Sequence, residues 1–242
     1  LRKTRIYYPK SINLGETLTL SATASHHLIR VLRYKANTAV TVFNGKGGEF
    51  SAVLLDNNPK AAQLQILDCA NTDRESPLRI KLLQGISRNE HMDTTIQKTT
   101  ELGVVDIVPV ICERSASIKP NRIDKKLERW NQIAISACEQ CGRNKLPKVH
   151  RATPFDQAIC DDSSACKLAL DPTATEGIMT QKHCADTVSI FCGPEGGLSD
   201  REISAACDAG YRNINFGPRI LRTETAGAAL VAALQVIWGD MG

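Results

Sequence analysis

Between residues 5 and 67 the apolar positions recur at every second residue, in short runs. Arg5–Tyr8, Thr17–Leu20, Ala39–Asn44, Glu49–Leu55 and Gln63–Leu67 alternate in this way and are rich in β-branched and aromatic side chains. That spacing predicts half-buried strands. Asn44-Gly45-Lys46-Gly47-Gly48 is a hairpin signal between two of them. One helix, about Ala24 to Leu32, interrupts the series. Short strands packed into so small a unit predict a small β-barrel.

The period then changes. Asn71-Thr72-Asp73-Arg74-Glu75-Ser76-Pro77 is polar, charged and ends in proline, and reads as a linker. The expected division is therefore residues 1–72 and 73–242. Beyond the linker, strands are predicted at Leu78–Gln84, Val104–Ile111, Lys167–Leu170, Thr187–Cys192 and Asn213–Phe216. Helices are predicted between them. Ser87-Arg88-Asn89-Glu90 reads as a capping box opening a helix that ends near Gly103, and Ser199-Asp200-Arg201-Glu202 as a second one, opening a helix to about Ala209. A long helix is expected from Asn121 to about Cys141, and a last one from Thr223 to Trp238. Strands alternating with helices imply a parallel sheet covered on both faces.

Composition narrows the class. The chain has 242 residues, 42% of them hydrophobic, which is enough for a real core. No apolar run approaches the roughly 20 residues of a membrane span. Leu1–Arg5 has no apolar run behind it and does not read as a secretory signal, so a cytoplasmic location is expected. Nine scattered cysteines suit reduced thiols better than a disulfide framework. Cys138 and Cys141 form a C-x-x-C, but no second pair or histidine stands at metal-ligand spacing, so no metal is expected. The net charge of +4 is unevenly placed. Residues 1–75 hold 10 Lys/Arg against 6 Asp/Glu, and the remainder holds 20 of each. A basic module beside a neutral one suggests that the first holds a polyanion and the second performs chemistry.

Two glycine loops carry the candidate chemistry. Gly193-Pro194-Glu195-Gly196-Gly197 follows a predicted strand and precedes a capped helix. Gly217-Pro218-Arg219-Ile220-Leu221-Arg222 repeats the arrangement one strand later. Ligands of open α/β sheets bind at such strand ends. Neither loop has dinucleotide or Walker spacing, which points to a neutral or cationic ligand and away from one held by its phosphates. Thr223 is a plausible N-cap and Glu224 suits the positive end of the helix dipole. Arg222 either reaches a substrate base or phosphate, or pairs with Glu195 or Glu224. Lys98 and Glu101 stand three apart on a predicted helix and are expected to pair with each other. His26, His27 and His91 are expected on the surface or facing RNA.

The wording of these loops, GPEGGLSDREI followed by FGPRILRTETA, resembles the paired motifs of the SPOUT methyltransferases, and within them the RsmE family (ribosomal RNA small subunit methyltransferase E). RIYYP at Arg5–Pro9, HHLIRVLR at His26–Arg33, RESPL at Arg74–Leu78, TIQKTTELGV at Thr95–Val104 and ACEQCGR at Ala137–Arg143 extend the similarity over nearly the whole chain. The resemblance implies an α/β domain with a deep trefoil knot behind a PUA-like RNA-binding barrel, working as a homodimer. It implies methylation of uridine N3 in the decoding region of 16S rRNA, within assembled small subunits, with S-adenosylmethionine as methyl donor. Carried onto this chain, the cofactor residues are Leu168, Leu170, Gly193, Pro194, Glu195, Gly196, Gly197, Phe216, Gly217, Ile220, Leu221, Arg222, Thr225 and Ala226.

Uridine N3 is a weakly acidic imide and must lose its proton before it attacks. An enzyme supplies a base, or a cation for the anion building on O2 and O4. Arg222 is the first candidate for the cation, and Glu195 or Glu224 for the base. Glu139 and Arg143 are further candidates, from the same subunit or a partner. Arg5, Arg30 and Arg33 are expected to hold rRNA phosphates. Two other functions fit the same fold: a non-catalytic rRNA-binding assembly factor, and a ribose 2′-O-methyltransferase. The basic N-terminal module and the RIYYP and ACEQCGR segments argue against the second.

Overall fold

The computed structural model describes residues 4–181 and 185–242, so the basic residues Arg2 and Lys3 lie outside the described residues. The chain divides into two compact units, Leu1–Glu75 with Cys138–Leu146, and Ser76–Ala137 with Pro147–Gly242.

In the first unit the alternating segments form strands β1 (Arg5–Tyr7), β2 (Thr17–Thr19), β3 (Ala39–Phe43), β4 (Glu49–Leu54) and β5 (Gln63–Ala70). Their order is β1-β3-β4-β5-β2, with β1 parallel to β3 and the other pairs antiparallel. The edge strands β1 and β2 do not pair among the described residues, so the sheet is a half-barrel. Gly45, Gly47 and Gly48 turn the β3–β4 hairpin with φ of 77°, 107° and 69°, angles that side chains resist. Leu18, Val42, Leu54, Leu64 and Ile66 fill the core. The single helix expected over Ala24–Leu32 begins earlier and changes type. α1 (Ala22–His26) is capped by Ser21 and passes into a π-helical turn, His27–Val31. This places Leu28 in the core and leaves Arg30 and Arg33 exposed. Arg33 takes φ 56°, which only glycine adopts freely.

The second unit is a parallel sheet. Its strands are β6 (Arg79–Gly85), β7 (Asp106–Ile111), β8 (Lys148–Val149), β9 (Thr153–Pro154), β10 (Cys166–Leu170), β11 (Thr187–Cys192) and β12 (Arg212–Ile214). The order is β12-β10-β11-β6-β7-β8, with β9 also on β7, and every pair is parallel. β6, first in sequence, thus lies between β11 and β7. Helices α2 (Asn89–Glu101), α3 (Ile123–Cys141), α4 (Phe155–Cys160), α5 (Asp200–Asp208) and α6 (Thr223–Trp238) connect the strands. One face buries Leu82, Ile96, Trp130, Leu230 and Leu234. The other buries Leu83, Phe155, Phe191, Ala206 and Tyr211. Adjacent residues Leu82 and Leu83 point to opposite faces, as the two-residue period requires. α4 and the short strands β8 and β9 have no counterpart in the sequence reading.

The two expected capping boxes fare differently. Ser199 and Glu202 form theirs, each side chain bonded to the other's backbone N–H. The Ser87 box does not form. α2 starts at Asn89, Arg88 is its N-cap, and no side chain of the cap residue closes the turn. The carboxylate that receives the Arg88 N–H is Glu195, at 2.8 Å, from the first glycine loop.

Candidate active site

The first glycine loop lies directly against the end of β6. A Cβ on Gly85 would stand 2.4 Å from Pro194 N and 2.8 Å from Gly193 C. Only a glycine lets these two main chains meet. The loop turns through Gly197 N–H donating to Pro194 O at 2.9 Å, with Gly197 at φ 70°. Buried Gln84 bridges the neighbouring elements. Its Nε2 donates to Gly193 O at 3.3 Å and to Thr223 Oγ1 at 2.9 Å, and Thr223 Oγ1 donates to Gly193 O at 2.8 Å. Arg114 completes the clamp, donating to Gly196 O at 3.0 Å and Leu198 O at 3.1 Å. Below the loop, burial pushes the Cys192 thiol up to about 12, so it stays protonated and is no nucleophile.

The second loop opens a cleft beside the first. Its walls are Leu170, Asp171 and Pro172 from the end of β10, Ile214 to Leu221, and Ala226 of α6. Asn215 anchors it, receiving no help from a regular strand: its N–H donates to Glu176 O at 2.7 Å and its side chain to Pro172 O at 3.0 Å. Gly217 turns the chain at φ 86°. Of the expected cofactor residues, Leu170, Phe216, Gly217, Ile220, Leu221 and Ala226 line the cleft. Leu168 does not: it is fully buried in the core under the sheet face. Gly193–Gly197 form the neighbouring loop, and Arg222 and Thr225 are exposed at the start of α6. Asp171 and Pro172 are additions. Leucine, proline and phenylalanine walls with one carboxylate and no cation but the exposed Arg219 suit an adenosine bearing a sulfonium better than a nucleotide phosphate.

Three charged candidates gather where α2, α6 and the first loop meet. Glu195 caps α2. Glu224 Oε2 lies 2.8 Å from His91 Nδ1, with side chains 16% and 29% exposed. Arg222 is the N-cap of α6, is exposed, and its guanidinium has no hydrogen-bond or ion-pair partner among the described residues. The alternative pairing of Arg222 with Glu195 or Glu224 is therefore not adopted. His91, expected on the surface or facing RNA, is partly exposed and stands against Glu224. Thr223, expected as the N-cap, is instead the first residue of α6 behind Arg222, and its hydroxyl holds Gly193 O. The roles of Gln84 and of the Arg88 N–H escaped the sequence reading, because they depend on contacts 100 or more residues away.

The remaining candidates lie in the first unit. Glu139 accepts the Tyr7 N–H at 2.9 Å, and burial pushes its carboxyl above the usual range against that bond. Arg143 Nε donates to Glu75 at 3.1 Å, and its side chain is 5% exposed. Arg5 corrects an expectation. Its guanidinium is buried over the Phe43 ring, pairs with Glu49 at 2.6 Å, and donates to Asn144 Oδ1 and Arg143 O. A cation so enclosed offers nothing to a phosphate. Arg74 and then Arg5 hold Glu49 at about 2 despite its partial burial. Lys98 and Glu101 pair at 3.0 Å as expected.

The parallel unit with its donor-shaped cleft and the half-barrel beside it in sequence define an RNA methyltransferase. Residues 74–235 match the RNA methyltransferase domain family, and residues 20–67 the RNA methyltransferase PUA domain. Ribosomal RNA small subunit methyltransferase E of Buchnera aphidicola is 35% identical over 98% of this chain and 94% of its own. The enzyme of that name from Neisseria gonorrhoeae, solved bound to S-adenosyl methionine, is 38% identical over the full length of both chains with a TM-score of 0.93. A Legionella pneumophila protein in complex with the bound cofactor SAM is 38% identical over 99% of this chain and 100% of its own, at TM-score 0.96. The chain belongs to the ribosomal RNA small subunit methyltransferase E family.

Proposed function

We propose that this protein transfers a methyl group from S-adenosylmethionine to N3 of a uridine in 16S rRNA, on the assembled small subunit. The observation that carries the reading is the cleft of Leu170–Pro172 and Ile214–Leu221, held beside an unpartnered arginine and a histidine–carboxylate pair. When bound, the cofactor supplies a methyl group already activated on a sulfonium. The cleft walls Leu170, Phe216 and Leu221 would hold its adenosine, and backbone groups of Phe216–Leu221 would orient it.

The protein's own work concerns the uridine. Arg222 stabilises the negative charge that grows on O2 and O4 as N3 loses its proton. Glu224 accepts that proton, and His91 beside it relays it to water. Glu195 keeps α2, and with it His91, in register by capping Arg88. Glu139 and Arg143 are engaged by Tyr7 and Glu75 and serve the first unit's architecture. Arg30 and Arg33, exposed beside the π-helical turn, hold rRNA phosphates. Among the described residues no helix is long and apolar enough to cross a membrane. Val236, Ile237 and Met241 leave apolar surface at the end of α6 and support a homodimer.

The test is methyl transfer from labelled S-adenosylmethionine to small subunits lacking the modification, mapped by reverse transcription. Methylation at N3 blocks base pairing and stops the polymerase at one nucleotide. Ribose methylation, or none, overturns the reading.

A further inference from the structure

Residues 76–242 are neutral in total, but their cations are not evenly spread. Between Arg114 and Arg129 stand Arg114, Lys119, Arg122, Lys125, Lys126 and Arg129, against Asp124 and Glu128. The fold brings Arg88, Glu90 and Asp93 of the α2 start to the same place. Lys126 Nζ donates to Asn89 Oδ1 at 2.7 Å, and Arg129 Nε to Asp93 at 3.0 Å. Arg114 joins this strip to the glycine loop through Gly196 O and Leu198 O.

The pairing within the strip is uneven. Asp93 is taken by Arg129, and Asp124 by Arg151 at 3.1 Å. That leaves Arg88, Arg114, Lys119, Arg122, Lys125 and Lys126 outnumbering the remaining carboxylates, Glu90, Glu128, Glu195 at the Arg88 N–H and Glu113 beside Arg114. Arg88, Lys119, Arg122 and Lys125 are exposed, and their side-chain cations have no hydrogen-bond or ion-pair partner among the described residues. The ammonium of Lys126 is depressed by burial first and then, with Asp93 opposing, by Arg129 and Arg122, so these cations feel one another. One helical turn on, the strip continues into a groove of about 420 Å³ between α2 and α3, lined by Thr94, Gln97, Gln132, Ile133 and Ser136, with the paired Arg129 and Asp93. Crowded like charges destabilise a fold unless an anion joins them, and hydroxyl and amide groups beyond them suit ribose and base edges.

We propose that Arg88, Lys119, Arg122 and Lys125 form a second RNA-binding surface, on the catalytic unit itself, that takes the phosphates of the substrate strand next to the methyl-transfer cleft. It rests on the rRNA methyltransferase reading above. Its partner is the phosphodiester backbone, so it contributes affinity and position without sequence preference.

The test is the double variant Arg122→Ala/Lys125→Ala, titrated against a 16S rRNA fragment from 50 to 200 mM salt. Two lost phosphate contacts lower the slope of log K against log salt by roughly 1.4 to 1.8, so wild-type affinity falls about tenfold more than the variant's over that range. KM for the small subunit should rise with kcat and S-adenosylmethionine binding unchanged, and Arg122→Lys/Lys125→Arg should restore the wild-type slope. An unchanged slope and KM would refute the surface. Weaker binding to the intact subunit with an unchanged slope on naked rRNA would assign the strip to an acidic ribosomal protein, and also refute it. Wild-type protein that binds with the full slope yet leaves N3 unmethylated would refute the proposed reaction while leaving this surface standing.

Discussion

Gly85→Ala drives a methyl group into the main chain of the loop that follows β11. The added Cβ would meet Pro194 N at 2.4 Å and Pro194 Cδ at 2.5 Å, where ordinary contact begins at 3.4 Å. The loop must retreat by about 1 Å, since neither partner is the end of a flexible side chain. It is not free to do so, because Thr223, Gln84 and Arg114 grip Gly193 and Gly196. Overpacking of this kind costs about 1–3 kcal/mol of stability. The same displacement moves Glu195 and the start of α6, and a shift of about 1 Å near reacting groups costs on the order of 100-fold in rate. Denaturant unfolding, calorimetric titration with S-adenosylmethionine and methylation of small subunits measure the three effects on one variant. Wild-type stability with wild-type cofactor affinity would show that the contact between β6 and the loop does not shape the site.

Other substitutions separate the roles assigned above. Arg222→Ala should lower kcat by roughly 100- to 1000-fold, the scale of one lost anion-stabilising donor, with S-adenosylmethionine binding intact by calorimetry. Arg5→Ala should destabilise the first unit by about 3 kcal/mol, because Glu49 and Asn144 lose a buried partner, as read by thermal unfolding. Arg30→Ala should leave unfolding unchanged and reduce the salt dependence of RNA binding. Buried Asp162 titrates at about 2: burial opposes its charge, but the Tyr211 hydroxyl at 2.6 Å, Lys81 at 2.9 Å and neighbouring serines outweigh it. Its folded value lies below the ordinary 3.8, so it contributes about 2 kcal/mol above pH 4 that is lost as pH falls from about 4 to about 2. Asp162→Asn should flatten that part of the stability–pH curve.

Local pattern told most about what local pattern controls. The two-residue alternation of Val40, Val42, Ala52 and Leu54 located β3 and β4, and the Ser199/Glu202 spacing located the start of α5, since both depend on neighbours within a few residues. The Ser87 box failed because α2 starts one residue later, with Arg88 as N-cap, which puts Glu90 one position short of N3; Glu195, 107 residues away, holds the Arg88 N–H. Arg5 read as a surface cation in a basic segment, and nothing nearby announced Phe43, Glu49 and Asn144 as its enclosure. The two glycine loops were visible as paired strand-end turns. Their joint geometry was not, because it rests on Gln84 and Thr223, an ordinary strand residue and an ordinary helix start. Net charge misled for the same reason. A total of 20 against 20 beyond residue 75 concealed a run of cations from Arg114 to Arg129, which the packing of α3 on α2 joins to the start of α2.

The central claim is that this protein methylates uridine N3 in small-subunit rRNA. Nucleoside mass spectrometry of 16S rRNA from a strain lacking the gene tests it most directly. The account predicts loss of one 3-methyluridine, restored by the wild-type gene and not by Arg222→Ala. Undiminished 3-methyluridine in the deletion strain would contradict it.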